Sequence, residues 1–227
     1  MINLLGFFST LILYILFKTI KNKYIQKIPI IISVGIILII ILKVFNIDYE
    51  TYYKSANILS FLIAPATIAL AYPMYKNSDI LTKNKFALYS GILIGSIVAI
   101  ISTYFLAKIL GMDNKIIMSL LSKSTTMPIA LELTKTLDGY CELTACIVAL
   151  TGVFGGVFGH KISKILKLKN DAAIGMSLGC ASHVIGTAAC AERKKHKQVA
   201  ASTIALILTG LITSIILPLL KNYFNLH

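Results

Sequence analysis

The sequence has no tryptophan, only nine acidic residues, and few charged residues of any kind, which make up 14% of the chain. Soluble domains carry roughly 25% charged residues, so this chain has too little polar surface to cover a water-soluble globule. Hydrophobic residues make up 57% of its 227 residues, and the mean hydropathy is +0.82. These values predict an all-α polytopic membrane protein in which residues 1–227 form a single integral membrane domain.

The sequence also lacks the patterns of cysteine-based and enzymatic sites. Its four cysteines form no C-x-x-C pair and are predicted to be buried free thiols. It has no G-x-S-x-G, no H-E-x-x-H, no phosphate-binding loop and no metal-ligand spacing. We therefore predict neither an enzyme nor a bound metal or cofactor.

Basic residues are the abundant charge and give a formal net charge of +13. They are spread over short connectors between apolar runs, without the aromatic-interleaved basic face of a nucleic-acid-binding protein. Lys and Arg collect in this way in the cytoplasmic loops of membrane proteins. The predicted partner is therefore the lipid bilayer, in a multi-pass protein of the bacterial cell membrane, and not a nucleic acid.

Long apolar runs alternate with these connectors and are predicted to be about six full transmembrane helices. The runs are 3–17, 28–45, 56–75, 86–110, 143–160 and 197–219. Two further segments, 118–135 and 172–192, are semi-polar and carry Pro, Gly, Ser and Thr near their middle. Because Pro and Gly interrupt helices, we predict two re-entrant or broken helical hairpins there.

The placement of lysines predicts how these two segments sit. If both crossed the membrane fully, the four lysines of connector 161–169 would face away from the cytoplasm, against the positive-inside rule. If both re-enter, connectors 18–27, 76–85, 161–169 and 193–197 share one side, which then holds 15 of the 22 basic residues. The re-entrant arrangement is favoured, with both termini outside and hairpins that dip in from opposite faces.

The chain also carries a faint internal repeat. Span 86–110 with the first hairpin resembles span 143–160 with the second, and the two pairs run in opposite directions in this topology. Inverted repeats whose broken helices meet near the bilayer midplane are typical of secondary transporters. The sequence therefore predicts an inverted repeat of secondary-transporter type.

Polar side chains cluster at the break of the first hairpin. They are Lys123, Ser124, Thr125, Thr126, Pro128 and Glu132. Hydroxyls and free N–H groups at a helix start bind small anions, Pro128 suits such a start, and Lys123 is a plausible countercharge. We predict a substrate-binding site for a small anion here. Alternatively, Lys123 extends to the membrane surface and the threonine hydroxyls bond to their own helix.

The second break supplies Ser182, His183, Gly186 and Thr187, which are predicted to bind the same substrate. His183 is the one histidine inside an apolar segment, and a histidine titrates near neutral pH. His183 is therefore a proton-coupling candidate together with Glu132, with which it pairs if the hairpins meet. The alternative is that His183 is a buried packing residue with satisfied hydrogen bonds.

Three motifs resemble those of the LrgB/CidB membrane protein family. Residues 123–130, Lys-Ser-Thr-Thr-Met-Pro-Ile-Ala, resemble its K-S-V-T-T-P-I-A signature, and residues 179–188 resemble G-x-A-S-H-x-I-G-T-A. Residues 150–159 resemble its L-T-G span with the glycines that follow. The resemblance covers about 55–220. It departs at 125–127, where Thr-Thr-Met replaces Val-Thr-Thr, so one hydroxyl has moved relative to the signature.

The resemblance implies two functions. Some members are carriers of small carboxylates: pyruvate in bacteria, and glycolate and glycerate in a plastid translocator whose C-terminal half is related. Others are described as antiholin-like regulators of murein hydrolase export and autolysis, acting with a small holin-like LrgA/CidA-type partner. We expect a carrier that works with such a partner. The alternative is a non-transporting regulator that oligomerises through small residues, which are Gly152, Gly155, Gly156 and Gly159.

Overall fold

The chain is all-helical in a computed structural model that describes residues 4–20, 30–69, 72, 75 and 85–223. These residues form nine α-helices and no strand. The helices are α1 Leu5–Thr19, α2 Ile30–Val44, α3 Tyr49–Ala69, α4 Lys85–Ile109, α5 Asn114–Leu121, α6 Met127–Thr136, α7 Cys141–Ile165, α8 Asp171–Glu192 and α9 His196–Tyr223. The prediction of an all-α protein is confirmed.

Four of the described helices are long and apolar enough to cross a membrane. They are Phe86–Ile109, Cys141–Ile165, Asp171–Glu192 and His196–Lys221. Two further apolar helices, Leu5–Thr19 and Ser33–Val44, are shorter. The third of the four long helices includes the second predicted hairpin, so the predicted count of six full spans stays a prediction.

The chain divides into two compact units, Met1–Ala69 and Leu70–His227. The first unit contains α1, α2 and α3. In it Gly6 lies directly against α3, where its backbone N–H donates to Ser55 Oγ at 3.1 Å, and Thr10 Oγ1 lies 2.8 Å from the Tyr52 hydroxyl. Most of the lysines predicted for connectors 18–27 and 76–85 lie outside the described residues.

The first predicted hairpin is two short antiparallel helices in the second unit. Helices α5 and α6 are separated by residues 122–126, which are not helical. Ser122 Oγ lies 3.3 Å from Thr134 Oγ1, and the backbone N–H of Tyr140 donates to Ser119 Oγ at 2.7 Å. The chain therefore returns to the end from which it entered, and the predicted break is confirmed.

The second predicted hairpin is helix α8, which is interrupted at Ser182 and His183. Their backbone angles are not helical, and His183 has a φ of 40°. Beyond the interruption Gly186 packs against the backbone carbonyl of Leu178, eight residues earlier, which requires the chain to fold back. The break predicted within residues 182–187 is confirmed. We call residues 171–181 and 184–192 the first and second halves of α8.

Helix directions in the second unit follow from glycine contacts. Gly91 and Gly95 of α4 face Met176 and Cys180, so α4 runs parallel to the first half of α8. In contrast, Gly152 of α7 faces His183 and Gly159 faces Leu178, so α7 runs antiparallel to it. Helices α4 and α7, each of which precedes a hairpin, therefore run in opposite directions.

Polar contacts identify the two ends of this unit. Gln198, at the start of α9, donates from Nε2 to Asp171 Oδ1 at 2.7 Å, and its Oε1 accepts from His160 Nε2 at 2.9 Å. The end of α7, both ends of α8 and the start of α9 therefore share one end, which we call the basic end because it carries the lysines of 161–169 and 193–197.

The base of the first hairpin lies at the opposite end. Lys221, near the end of α9, donates to Asp138 Oδ2 at 2.6 Å and to the Thr136 carbonyl at 2.9 Å. This hairpin packs between α4 and α9 around an apolar core. The buried members of this core are Ile100, Tyr104, Ala107, Ile117, Met118, Leu121, Leu133, Leu137 and Leu217. The two hairpins therefore enter the unit from opposite ends.

Candidate functional site

A cavity of about 500 Å³ lies where the tips of the two hairpins approach each other. Lys123 and Ser124 reach it from the first tip, and Ser182 reaches it from the second. Helices α4, α7 and the first half of α8 form its walls. Two segments that are 58 residues apart in sequence, from Ser124 to Ser182, thus supply polar groups to one space.

Lys123 gives this cavity a positive charge. Its ammonium group donates to Ser124 Oγ at 3.3 Å, and no carboxylate of the described residues forms an ion pair with it. A cation inside a membrane protein is costly unless a counter-charge or water stabilises it. The cavity is therefore suited to an anion, which would neutralise Lys123 when bound.

Two serines stand beside this charge with buried side chains. Ser124 is 7% exposed and Ser182 is 2% exposed. Within the described residues the Ser182 hydroxyl has no hydrogen-bond partner, and its Oγ lies directly against Gly155 of α7. Since buried hydroxyls are normally hydrogen-bonded, an unpaired hydroxyl that faces a cavity is available to a ligand. The Ser182 hydroxyl is therefore available to an anionic oxygen bound in the cavity.

The other predicted residues of the first tip do not line the cavity. Thr125 is buried and donates from Oγ1 to the carbonyl of Ser122 at 2.9 Å. Thr126 precedes α6 without a side-chain capping bond, and its buried Oγ1 has no partner in the described part of the chain. Pro128 lies in the first turn of α6, as predicted. These residues shape the turn that presents Lys123 and Ser124.

The remaining predicted residues of the second tip make contacts within the protein. His183 is 4% exposed and donates from Nε2 to the Val148 carbonyl at 3.0 Å. Thr187 Oγ1 donates to the His183 carbonyl at 3.1 Å and lies 2.5 Å from Ser202 Oγ. Gly186 gives the close approach to Leu178 described above. The geometry matches the alternative in which His183 is a packed, hydrogen-bonded residue.

Glu132 lies away from the cavity. Its side chain is exposed, and its carboxylate contacts Lys135 Nζ at 2.6 Å, one turn along the same helix. The expected pairing of Glu132 with His183 across the hairpins is wrong, because each residue has a different partner. The i,i+3 spacing of an acidic and a basic residue explains the contact that forms instead.

Sequence reasoning missed three polar residues that line the cavity, Thr151, Ser177 and Cys180. Thr151 was noticed only as part of a motif. Ser177 and Cys180 follow Ala173 and precede Ala181 at helical spacing, so all four lie along one face of α8. That run of small and weakly polar residues was a usable signal, but its significance depended on knowing which helix face the cavity occupies.

A larger cavity, of about 740 Å³, lies in the first unit between α1, α2 and α3. Its lining is mostly apolar and includes Leu38, Leu42 and Phe45. Its one cation, Lys54, lies 4.0 Å from the Glu50 carboxylate. Size alone therefore does not identify the functional site. Both cavities have polar lining residues, and the smaller one differs in that its lysine forms no ion pair with a described carboxylate.

Comparison with known proteins gives a family match over most of the chain. The LrgB-like family matches residues 10–223, beyond the region that the motifs cover. Antiholin-like protein LrgB of Bacillus mycoides (strain KBAB4) is 32% identical over 187 residues, covering 82% of this chain and 81% of that protein. The protein of the same name from Bacillus cereus (strain B4264) gives the same values. No solved structure matches the chain.

Proposed function

The chain belongs to the LrgB-like family, and we propose that it is a membrane carrier of small carboxylates such as pyruvate or glycolate, acting with a small holin-like partner of the LrgA/CidA type. One observation carries this proposal. Hairpin tips that enter from opposite ends place Lys123, Ser124 and Ser182 at the same cavity. A carboxylate matches this set because its oxygens accept hydrogen bonds and its charge offsets that of Lys123.

The proposed carrier architecture is an inverted repeat with six full spans and two re-entrant hairpins in the bacterial plasma membrane. The opposite directions of α4 and α7, each followed by a hairpin, support it. Transporters of this kind bind substrate where interrupted helices meet, because there the polar groups are shielded from lipid. The lysines of the basic end favour a cytoplasmic location for that end.

Within this site we propose that Lys123, Ser124 and Ser182 contact the substrate directly. Thr125, Thr126, Pro128, His183, Gly186 and Thr187 would hold the two tips in shape. Neither Glu132 nor His183 is proposed as a proton carrier, because Glu132 is paired with Lys135 and His183 with a backbone carbonyl. Any coupling ion would bind elsewhere.

The second candidate function is a non-transporting, antiholin-like regulator, which the names of the Bacillus relatives favour. In one version of this regulator, the glycines of α7 form an oligomer interface. However, Gly152, Gly155, Gly156 and Gly159 contact His183, Ser182, Ile185 and Leu178 of α8, respectively. Those glycines are occupied within the chain, so a regulator would need another surface for its partner.

An uptake assay separates the two functions. The full chain would be reconstituted in liposomes, with and without the holin-like partner, and supplied with radiolabelled pyruvate or glycolate. We expect uptake that falls about tenfold in Ser182→Ala, because a lost hydrogen bond to a charged group costs roughly 1.5–3 kcal/mol. Lys123→Gln should reduce uptake at least as much.

Matched controls test whether those losses are specific. Ser102→Ala removes a hydroxyl that bonds only to the Ala99 carbonyl of its own helix, and Lys164→Gln removes an exposed cation at the basic end. Both variants should transport normally. Uptake that is absent in the wild type under every condition, or unchanged in Ser182→Ala and Lys123→Gln, would rule out the proposed carrier site.

A further inference from the structure

One wall of the cavity is formed by helix α4, which presents two glycines and an alanine there beside Ile92. Gly91, Gly95 and Ala99 recur every four residues, and all three line the cavity. Across the space lie Met176 and Cys180 of the first half of α8. A methyl group on Gly91 would lie 3.3 Å from Met176 Cε, and one on Gly95 would lie 3.2 Å from Cys180 Sγ. The two glycines therefore let α4 contact α8 directly, and the cavity beside this contact is a narrow slot.

The positive charge lies at one end of this slot. Lys123, Ser124 and Ser182 are at the hairpin tips, whereas Met176 and Ala173 lie nearer the start of α8 and thus the basic end. A bound anion whose charged group contacts the tips must direct the rest of its length along the slot. There it meets Met176, whose Cε lies directly against Gly91.

We propose that Gly91 and Met176 set the length of the carboxylate that the cavity accepts. This inference rests on the proposed function and adds the orientation of the substrate to it: the carboxylate lies at Lys123 and Ser182, and the carbon tail points along the slot toward the basic end. Shortening Met176 lengthens the slot, and a side chain at Gly91 shortens it. The two changes should shift selectivity in opposite directions.

Cys180 provides a direct measure of occupancy, because its thiol lines the cavity and is partly exposed. In a Cys141→Ser/Cys146→Ser background, Cys190 remains but is buried. The rate at which a small maleimide labels Cys180 would be measured in detergent with increasing acetate, butyrate or hexanoate. The concentration that halves the rate gives an apparent affinity for each acid, independently of transport.

The expected result is a change in the ratio of hexanoate to acetate affinity. Each methylene that is excluded from or admitted to an apolar pocket changes the affinity about tenfold or more. Met176→Ala should raise the ratio about tenfold, and Gly91→Ala should lower it about tenfold. Gly35→Ala is the matched control, because a methyl group there meets no atom within 4 Å. Its ratio should equal that of the background protein.

The outcomes separate this inference from the proposed function. If acetate protects Cys180 but the ratio is unchanged in both Met176→Ala and Gly91→Ala, the length-selecting slot is overturned and the carboxylate site stands. If none of the three acids slows labelling of Cys180, the carboxylate site is overturned, and the slot with it. Opposite shifts in the two variants, with Gly35→Ala unchanged, would support both.

Discussion

The two hairpins turn back inside the same unit by different means. In the first, five non-helical residues, 122–126, separate α5 from α6. In the second, only Ser182 and His183 leave the helical conformation, and His183 takes a positive φ that costs a non-glycine residue of order 1–3 kcal/mol. The sharper turn therefore needs stronger support from the helices around it.

The supports differ in kind. The first hairpin is held by a network of four fully buried hydroxyls, from Ser119, Ser122, Thr134 and Thr144. Thr134 Oγ1 lies 2.9 Å from Thr144 Oγ1, and Thr144 also donates to the Ser119 carbonyl at 2.9 Å. The second hairpin is held by backbone contact: Gly175 and Gly179 lie directly against the backbone of Gln198 and Ser202 on α9.

The two hairpins share a topology, but their stability is sensitive to different kinds of substitution. A hairpin that is joined by hydroxyls is weakened when a polar atom is removed, because the buried hydrogen bonds of that atom are lost. A hairpin that is joined by glycines is weakened when an atom is added, because a packed interface cannot absorb it. The variants below test that contrast.

The largest effect is expected from a methyl group in the second hairpin. In Gly179→Ala the new Cβ would overlap the backbone carbonyl of Ser202, so helices α8 and α9 must move apart. The free energy of unfolding should fall by about 3 kcal/mol. SDS titration in mixed micelles, followed by circular dichroism, measures it. Gly35→Ala should instead be neutral or stabilising, and equal effects in the two variants would contradict the close contact.

A smaller loss is expected from removing one hydroxyl of the first hairpin. Thr134→Val keeps the shape of the side chain but removes its hydroxyl contacts with Thr144 and Ser122, which should lower the free energy of unfolding by about 2 kcal/mol, at roughly 1 kcal/mol per contact. Thr103→Val is the matched control, because Thr103 bonds only to the Ala99 carbonyl of its own helix. The same titration should show little change in the control. If both variants lose equal stability, the hydroxyl network does not support the hairpin.

The second hairpin has one comparable hydroxyl pair, between Thr187 and Ser202. Thr187→Val should lower the free energy of unfolding by about 1 kcal/mol. It removes the 2.5 Å contact between the half-buried Thr187 Oγ1 and the buried Ser202 Oγ. A double-mutant cycle with Ser202→Ala measures the pair directly. A coupling energy near zero would show that the hydroxyls are adjacent without stabilising each other.

The smallest effect is expected at the base of the first hairpin, where stability should depend on pH. The hydrogen bond and charge of Lys221 hold the pKa of Asp138 below its ordinary value of 3.8. The contact therefore stabilises the fold above pH 3.8 and is lost as the pH falls through the lowered pKa. At neutral pH, Asp138→Asn should melt slightly below the wild type, and the two should converge in acid. A difference in melting temperature that grows in acid would contradict the predicted direction of the pH dependence.

The breaks of both hairpins were predictable because their causes are local. Pro128 and the hydroxyls beside it disfavour a continuous helix, and Ser182 and Gly186 do the same in α8. Their lysines predicted that connectors 161–169 and 193–197 lie on the same side, because moving a charge across a bilayer costs much free energy. The structure places both connectors at the basic end.

The partners of each polar group were not predictable, because they depend on tertiary contacts. Lys123, Ser124 and Ser182 line the cavity as expected, but nothing in the sequence indicated that Thr125 would bond to Ser122 or His183 to Val148. Thr134 and Thr144 were not singled out, although they join the first hairpin to α7. Hydroxyls in a membrane segment look alike in sequence whether they face a neighbouring helix or a ligand.

The central claim is that the two tips share one anion site, and paired cysteine protection tests it most directly. Ser124→Cys and Ser182→Cys would be made separately in a Cys141→Ser/Cys146→Ser/Cys180→Ser background and labelled with a small methanethiosulfonate. We predict that pyruvate slows labelling at both positions. Protection at only one tip, or at neither, would contradict a shared site.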